Sequence, residues 1–159
     1  MSAAEILRLG RQLGFRIGTA ESCTGGLIAA ALSDLPGSSD VFEGGFVTYS
    51  NAAKIASLGV KVNTLTRYGA VSEEVAREMA DGARQALDLD LALSVTGIAG
   101  PGGSEFKPEG RVCFGLSGRR TVIRSETIEF GALGRANVRE AARNHGLSMI
   151  CEALKTQAP

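Results

Sequence analysis

The run Glu21-Ser22-Cys23-Thr24-Gly25-Gly26 sets small hydroxyl side chains and paired glycines between a strand-like stretch and a helical one. Such a turn exposes a hydroxyl and free backbone N–H groups at a helix N-terminus, where an anion or a developing oxyanion is favoured. Two readings stand on these residues alone: Ser22 or Thr24 caps the helix, or one of them does chemistry. A second run, Gly44-Gly45-Phe46-Val47-Thr48-Tyr49-Ser50-Asn51-Ala52-Ala53-Lys54, ends on a lysine one turn into a short predicted helix. Desolvated beside the positive end of that helix, Lys54 would be held neutral, as a base for a serine nucleophile must be; exposed, it is an ordinary surface lysine. The third run is Thr96-Gly97-Ile98-Ala99-Gly100-Pro101-Gly102-Gly103. Its glycines permit close approach of backbone to ligand, or form an ordinary flexible loop. It has neither a closing Gly-Lys-Ser/Thr nor Gly-x-Gly-x-x-Gly, so a nucleoside-triphosphate or dinucleotide label is unsupported.

These runs need elements to position them. Ser2-Ala3-Ala4-Glu5 fits a capping box for a first helix whose apolar face is Ile6, Leu7, Leu9 and Leu13, stopping at Gly14. Phe15, Ile17 and Thr19 alternate as a strand, and Leu27, Ile28, Ala31, Leu32 and Leu35 recur at helical spacing. Pro36 to Asp40 breaks the pattern, after which 41–50 predicts a strand interrupted by Gly44-Gly45, with Asn51 capping the short helix that holds Lys54. Ser72 caps a helix carrying Val75, Ala76, Met79, Ala83 and Leu87, and Leu91, Leu93 and Val95 form a strand emptying into the third run. A hairpin over 112–116 and 122–130 and a terminal helix from about Arg135 to Leu154 complete the chain. Helices alternating with strands predict an α/β sheet covered on both faces. In such sheets ligands gather at the carboxyl ends of strands, where both glycine turns fall.

Composition narrows the ligand. A chain of 159 residues with 44% hydrophobic content fits one domain over 1–159. Lysine plus arginine equals aspartate plus glutamate at 17 each, with no run of like charge, which argues against nucleic-acid or membrane partners and for a small molecule. The N-terminus lacks a basic region followed by a long apolar run, so a cytoplasmic protein is expected. Cys23, Cys113 and Cys151 are scattered and support neither a disulfide framework nor a zinc site. His145, the only histidine, continues the stripe of Val138, Ala141, Ala142 and Met149 and reads as structural. Acid–base chemistry must come from other side chains.

Taken together and in this order, the three runs resemble the CinA C-terminal-domain family, whose characterised members are nicotinamide-nucleotide amidohydrolases. Gly69-Ala70-Val71-Ser72, Lys107-Pro108 with Gly110, and Arg135 with Arg139 extend the match over nearly the whole chain. The resemblance implies a three-layer α/β/α sandwich around a mixed, mostly parallel sheet of about five strands. It also implies hydrolysis of the carboxamide of nicotinamide mononucleotide to nicotinic acid mononucleotide and ammonia. By the same likeness Ser22 matches the nucleophile, and Lys54 and Tyr49 its activating partners. Glu21, Thr24, Gly25, Gly26, Ser50, Asn51, Thr96, Gly97, Ala99, Gly100, Arg135 and Arg139 match substrate-binding positions. No cofactor and no metal are expected, and a homo-oligomer, a dimer before others, is the expected assembly. The chain begins at this domain, so the pyrophosphatase activity of the larger N-terminal domain of some relatives is not expected. Two departures from the family pattern stand out: a short Gly100-Pro101-Gly102-Gly103-Ser104 loop, and Glu109 and Arg111 where an apolar residue and a small hydroxyl are common. Rival readings are a nucleotide-binding domain without turnover and a hydrolase using Cys23.

Overall fold

The computed structural model describes residues 3–104 and 106–157, with backbone alone at 121 and 122. Ser2 and its capping box therefore lie outside the described residues. A five-stranded sheet runs in the order β2-β1-β3-β4-β5, built from β1 (Ile17–Glu21), β2 (Phe42–Val47), β3 (Leu91–Gly97), β4 (Arg111–Gly118) and β5 (Thr121–Glu129). β2, β1 and β3 are parallel; β4 and β5 add antiparallel at one edge. Helices α1 (Ala3–Leu13), α2 (Leu27–Ser33) and α6 (Arg135–Lys155) cover one face, and α3 (Asn51–Leu58), α4 (Val62–Tyr68) and α5 (Glu73–Ala86) the other. The result is the expected α/β/α sandwich. Among the described residues no helix is long and apolar enough to cross a membrane.

Register brings the three runs together. Glu21 lies opposite both Val47 and Val95, so β1 and β2 end level, β3 runs on two residues against β4, and Thr48, Ser22 and Thr96 follow side by side. β1 leads to β2 through α2 on one face, whereas β2 leads to β3 through α3, α4 and α5 on the other. The chain thus changes faces at the β1/β3 boundary, the crevice where open α/β sheets bind ligands.

Gly44 and Gly45 do not interrupt β2 as the sequence suggests; both lie within it. A Cβ on Gly45 would stand 2.4 Å from Thr19 Oγ1, so the residue is needed for close strand packing. Ser50, not Asn51, caps α3, its hydroxyl accepting from Ala53 N at 3.1 Å. α4 was not foreseen: it buries no residue and leaves Val62 exposed, so it carries no apolar stripe to read. His145 packs its ring 4.7 Å from that of Phe114 and pairs with Glu126 at 2.6 Å, away from the strand ends.

Candidate active site

The turn after β1 is shaped by a buried carboxylate. Glu21 accepts from Ile28 N at 3.0 Å, Ala29 N at 2.9 Å and Thr24 Oγ1 at 2.7 Å, so it, rather than a hydroxyl, satisfies the first turn of α2. Gly26 holds the N-cap position with φ 101°, a left-handed conformation natural to glycine, and no side chain caps there. The capping reading of Ser22 and Thr24 is thereby replaced. Ser22 is free to project from the turn while its backbone N–H bonds Val95 O at 2.9 Å.

Lys54 meets it from α3. Its Nζ lies 2.9 Å from Ser22 Oγ and 2.8 Å from Thr48 O, and its side chain is 1% exposed. The surface reading of this lysine fails. Burial, the larger influence, lowers its pKa from the ordinary lysine range, and the neighbouring Cys23 opposes it only in part. A neutral amine keeps a lone pair, and that lone pair can face the Ser22 hydroxyl proton. The unfolded chain binds more protons than the folded one between the lowered value and about 10.4, so this group's contribution to stability rises with pH across that window and is lost as pH falls through the folded value. Thermal unfolding of wild type and Lys54→Met over a pH series should show the wild type gaining on the variant as pH rises. A difference that does not change with pH would mean that Lys54 titrates as an exposed lysine does.

A cleft of about 300 Å³ opens over this pair, lined by Ser22, Cys23, Tyr49, Asn51, Lys54, the Ala70-Val71 loop, 96–104 and Arg135. Tyr49 is 59% exposed and its Oη accepts from Arg135 Nη2 at 2.6 Å, while Arg135 Nη1 donates to Gly100 O at 2.8 Å. Among the described residues no hydrogen bond joins Tyr49 to Ser22 or Lys54, so it stands at the rim, paired with the arginine. Thr96 Oγ1 bonds Ala70 O at 2.9 Å, and Lys107 Nζ donates to Tyr68 O and Val71 O, holding the second wall.

Of the residues matched by likeness, Asn51, Thr96, Gly97, Ala99, Gly100 and Arg135 line the cleft with Ser22, Tyr49 and Lys54. Glu21, Thr24, Gly25, Gly26, Ser50 and Arg139 are not among its lining residues. Arg139 donates to Cys23 O at 3.0 Å and Thr24 O at 3.1 Å, fixing the turn from behind. Gly25 N is bonded to Ser22 O at 3.0 Å and is not available for an oxyanion. Glu109, one of the departures, accepts from Gly102 N at 3.2 Å, and a Cβ on Gly100 would come 2.1 Å from its Oε1. The carboxylate thus braces the short glycine loop. Arg111 pairs with Glu129 at 2.6 Å across β4 and β5. Cys23 is 5% exposed and burial pushes its thiol up to about 12, so the thiolate that a cysteine nucleophile needs is disfavoured.

Comparison with known proteins yields consistent relatives. A family model described as the CinA C-terminal domain matches residues 1–154. The chain is 51% identical over 147 residues to a "CinA-like protein" of Chlorobium phaeobacteroides, a match covering 90% of this chain and 35% of that protein. It is 52% identical over 127 residues to a "putative competence-damage inducible protein" of Halothermothrix orenii, covering 79% of this chain and 31% of that one. The chain thus spans about a third of the length of these curated relatives. Among solved structures, the competence/damage inducible protein CihA from Agrobacterium tumefaciens is 43% identical, with 98% of each chain covered and a TM-score of 0.86. The competence damage-inducible protein A (ComA) from Klebsiella pneumoniae is 36% identical, with 96% of this chain and 94% of that chain covered and a TM-score of 0.92.

Proposed function

We propose, on the premise that the chain belongs to the CinA C-terminal domain family, that its cleft hydrolyses the carboxamide of nicotinamide mononucleotide, releasing ammonia and nicotinic acid mononucleotide. The observation that carries this reading is the buried pair of Lys54 Nζ and Ser22 Oγ, 2.9 Å apart at the floor of the cleft. A serine beside a desolvated lysine is an activated nucleophile. In the reaction, neutral Lys54 takes the Ser22 proton as Oγ bonds to the amide carbon. The carbonyl oxygen, now negative, is held by the backbone N–H of Cys23, the residue of this turn after Ser22 that lines the cleft. The C–N bond then breaks, the proton on Lys54 leaves with ammonia, and water hydrolyses the ester on Ser22 with Lys54 again as base.

The test is ammonia release from nicotinamide mononucleotide by the purified chain. Binding of the nucleotide without ammonia would favour the silent nucleotide-binding domain instead.

Arg135 supplies a second expectation. Its guanidinium is anchored to Gly100 O and Tyr49 Oη at the mouth of the cleft, leaving the other donors of its fork for the substrate phosphate. Hydrogen bonds to an ionised group contribute about 1.5–3 kcal/mol each, roughly ten- to a hundredfold in equilibrium. Nicotinamide riboside should therefore be a much poorer substrate than the mononucleotide, and Arg135→Ala should narrow that gap by weakening the mononucleotide selectively. Equal loss on both substrates would place Arg135 in the scaffold.

A further inference from the structure

Thr48 stands out in the buried polar inventory. Its Oγ1 is, among the described residues, the buried side-chain oxygen or nitrogen without a hydrogen-bond partner, and the residue is 1% exposed. An unpaired buried hydroxyl is costly and rare enough to need a reason. Thr48 N donates to Glu21 O at 2.9 Å, extending the β1/β2 ladder by one residue. Strand alternation then puts its side chain on the same side as that of Phe46, which packs against the core containing Val75 and Met79 of α5. That is the layer from which α3 sends Lys54.

We propose that Thr48 is a positioning residue for Lys54, its hydroxyl accepting the N–H of the lysine amine that Ser22 Oγ and Thr48 O leave unpaired once the amine is charged. This rests on the reading of Lys54 as the base. When the amine takes the Ser22 proton it carries three N–H donors. One faces Ser22 Oγ across the 2.9 Å contact and one donates to Thr48 O at 2.8 Å. The third needs an acceptor, and Oγ1 belongs to the very residue whose carbonyl already holds Nζ. A change of χ1 between staggered wells redirects it. The bond is stronger to the ammonium than to the neutral amine, so it favours the charged intermediate.

Other groups around the lysine are engaged elsewhere or are poor acceptors. Glu21 is bonded to Thr24 and the start of α2. Arg139 of α6 holds the carbonyls of Cys23 and Thr24, and Tyr49 and Arg135 hold each other. The Cys23 thiol is a weak acceptor. α5 turns Val75, Met79 and Ala83 to the core it shares with Leu58 of α3.

The test is the NMR titration of the Lys54 amine in the full chain for wild type, Thr48→Val and Thr48→Ser, with the pH profile of kcat/KM beside it. Thr48→Val keeps shape and carbonyl, and should lower the amine's midpoint by about one pH unit, move the acid limb of kcat/KM with it, and leave Tm no lower than wild type. Thr48→Ser should restore the wild-type midpoint. An unchanged midpoint in Thr48→Val, or equal shifts in both variants, overturns the proposal. The titration reads out without turnover, so a chain lacking amidase activity would refute the functional reading and leave this test intact.

Discussion

Ser22→Ala is expected to lower ammonia release from nicotinamide mononucleotide by on the order of 10⁴- to 10⁶-fold, because removing the nucleophile of a covalent mechanism leaves only what binding and the oxyanion donors contribute. Nucleotide binding should be nearly unchanged. The fold should also tolerate the change: the backbone bonds from Ser22 N to Val95 O and from Gly25 N to Ser22 O do not involve the side chain, and Lys54 keeps Thr48 O. The loss of one hydrogen bond corresponds to about 1 kcal/mol of stability. Cys23→Ala is the control, since that thiol is buried and stays protonated. Near-normal turnover in Ser22→Ala, with loss in Cys23→Ala, would transfer the nucleophile to the cysteine despite its raised pKa.

The sequence made the elements that bury an apolar stripe legible. α5, with Val75, Ala76, Met79 and Ala83 inward behind a Ser72 cap, is an example, and so is β3, buried from Leu91 to Thr96. α4 escaped because none of its residues is fully buried and Leu65 packs only part-buried against the core, and the glycines of β2 misled because their cause is a neighbour, Thr19, that only the sheet brings near. The same distinction applies to the site. Lys54 in the first turn of α3 could be read from local pattern, but its burial against Ser22, 32 residues earlier, depends on β1 and β2 ending level. Glu21 was the least legible. Next to a candidate nucleophile a carboxylate invites a binding role, and only the path of the chain shows it turned back onto Ile28 N and Ala29 N. Arg139 is similar: a likeness suggests contact with substrate, and its bonds run to the Cys23 and Thr24 carbonyls instead.

Lys54→Arg is the sharper of the two large perturbations, because it retains the charge and removes the chemistry. Guanidinium remains protonated at any working pH and offers no lone pair to take the Ser22 proton. If Lys54 served only to hold a positive charge near the carbonyl, arginine would preserve much of the rate. As a base it cannot be replaced so, and turnover should fall by about 10²- to 10⁴-fold, the usual range for general acid–base catalysis. The side chain is 1% exposed and arginine is bulkier, so Lys54→Met is needed beside it: similar in length, uncharged, and free of the cost of burying a guanidinium. Both variants should bind the nucleotide, both should lose turnover, and a chelator should leave the wild type unaffected. Turnover near the wild-type rate in Lys54→Arg would make the lysine a fixed charge. Activity abolished by a chelator and restored by added metal would replace the serine–lysine scheme with one in which a metal ion activates the attacking group.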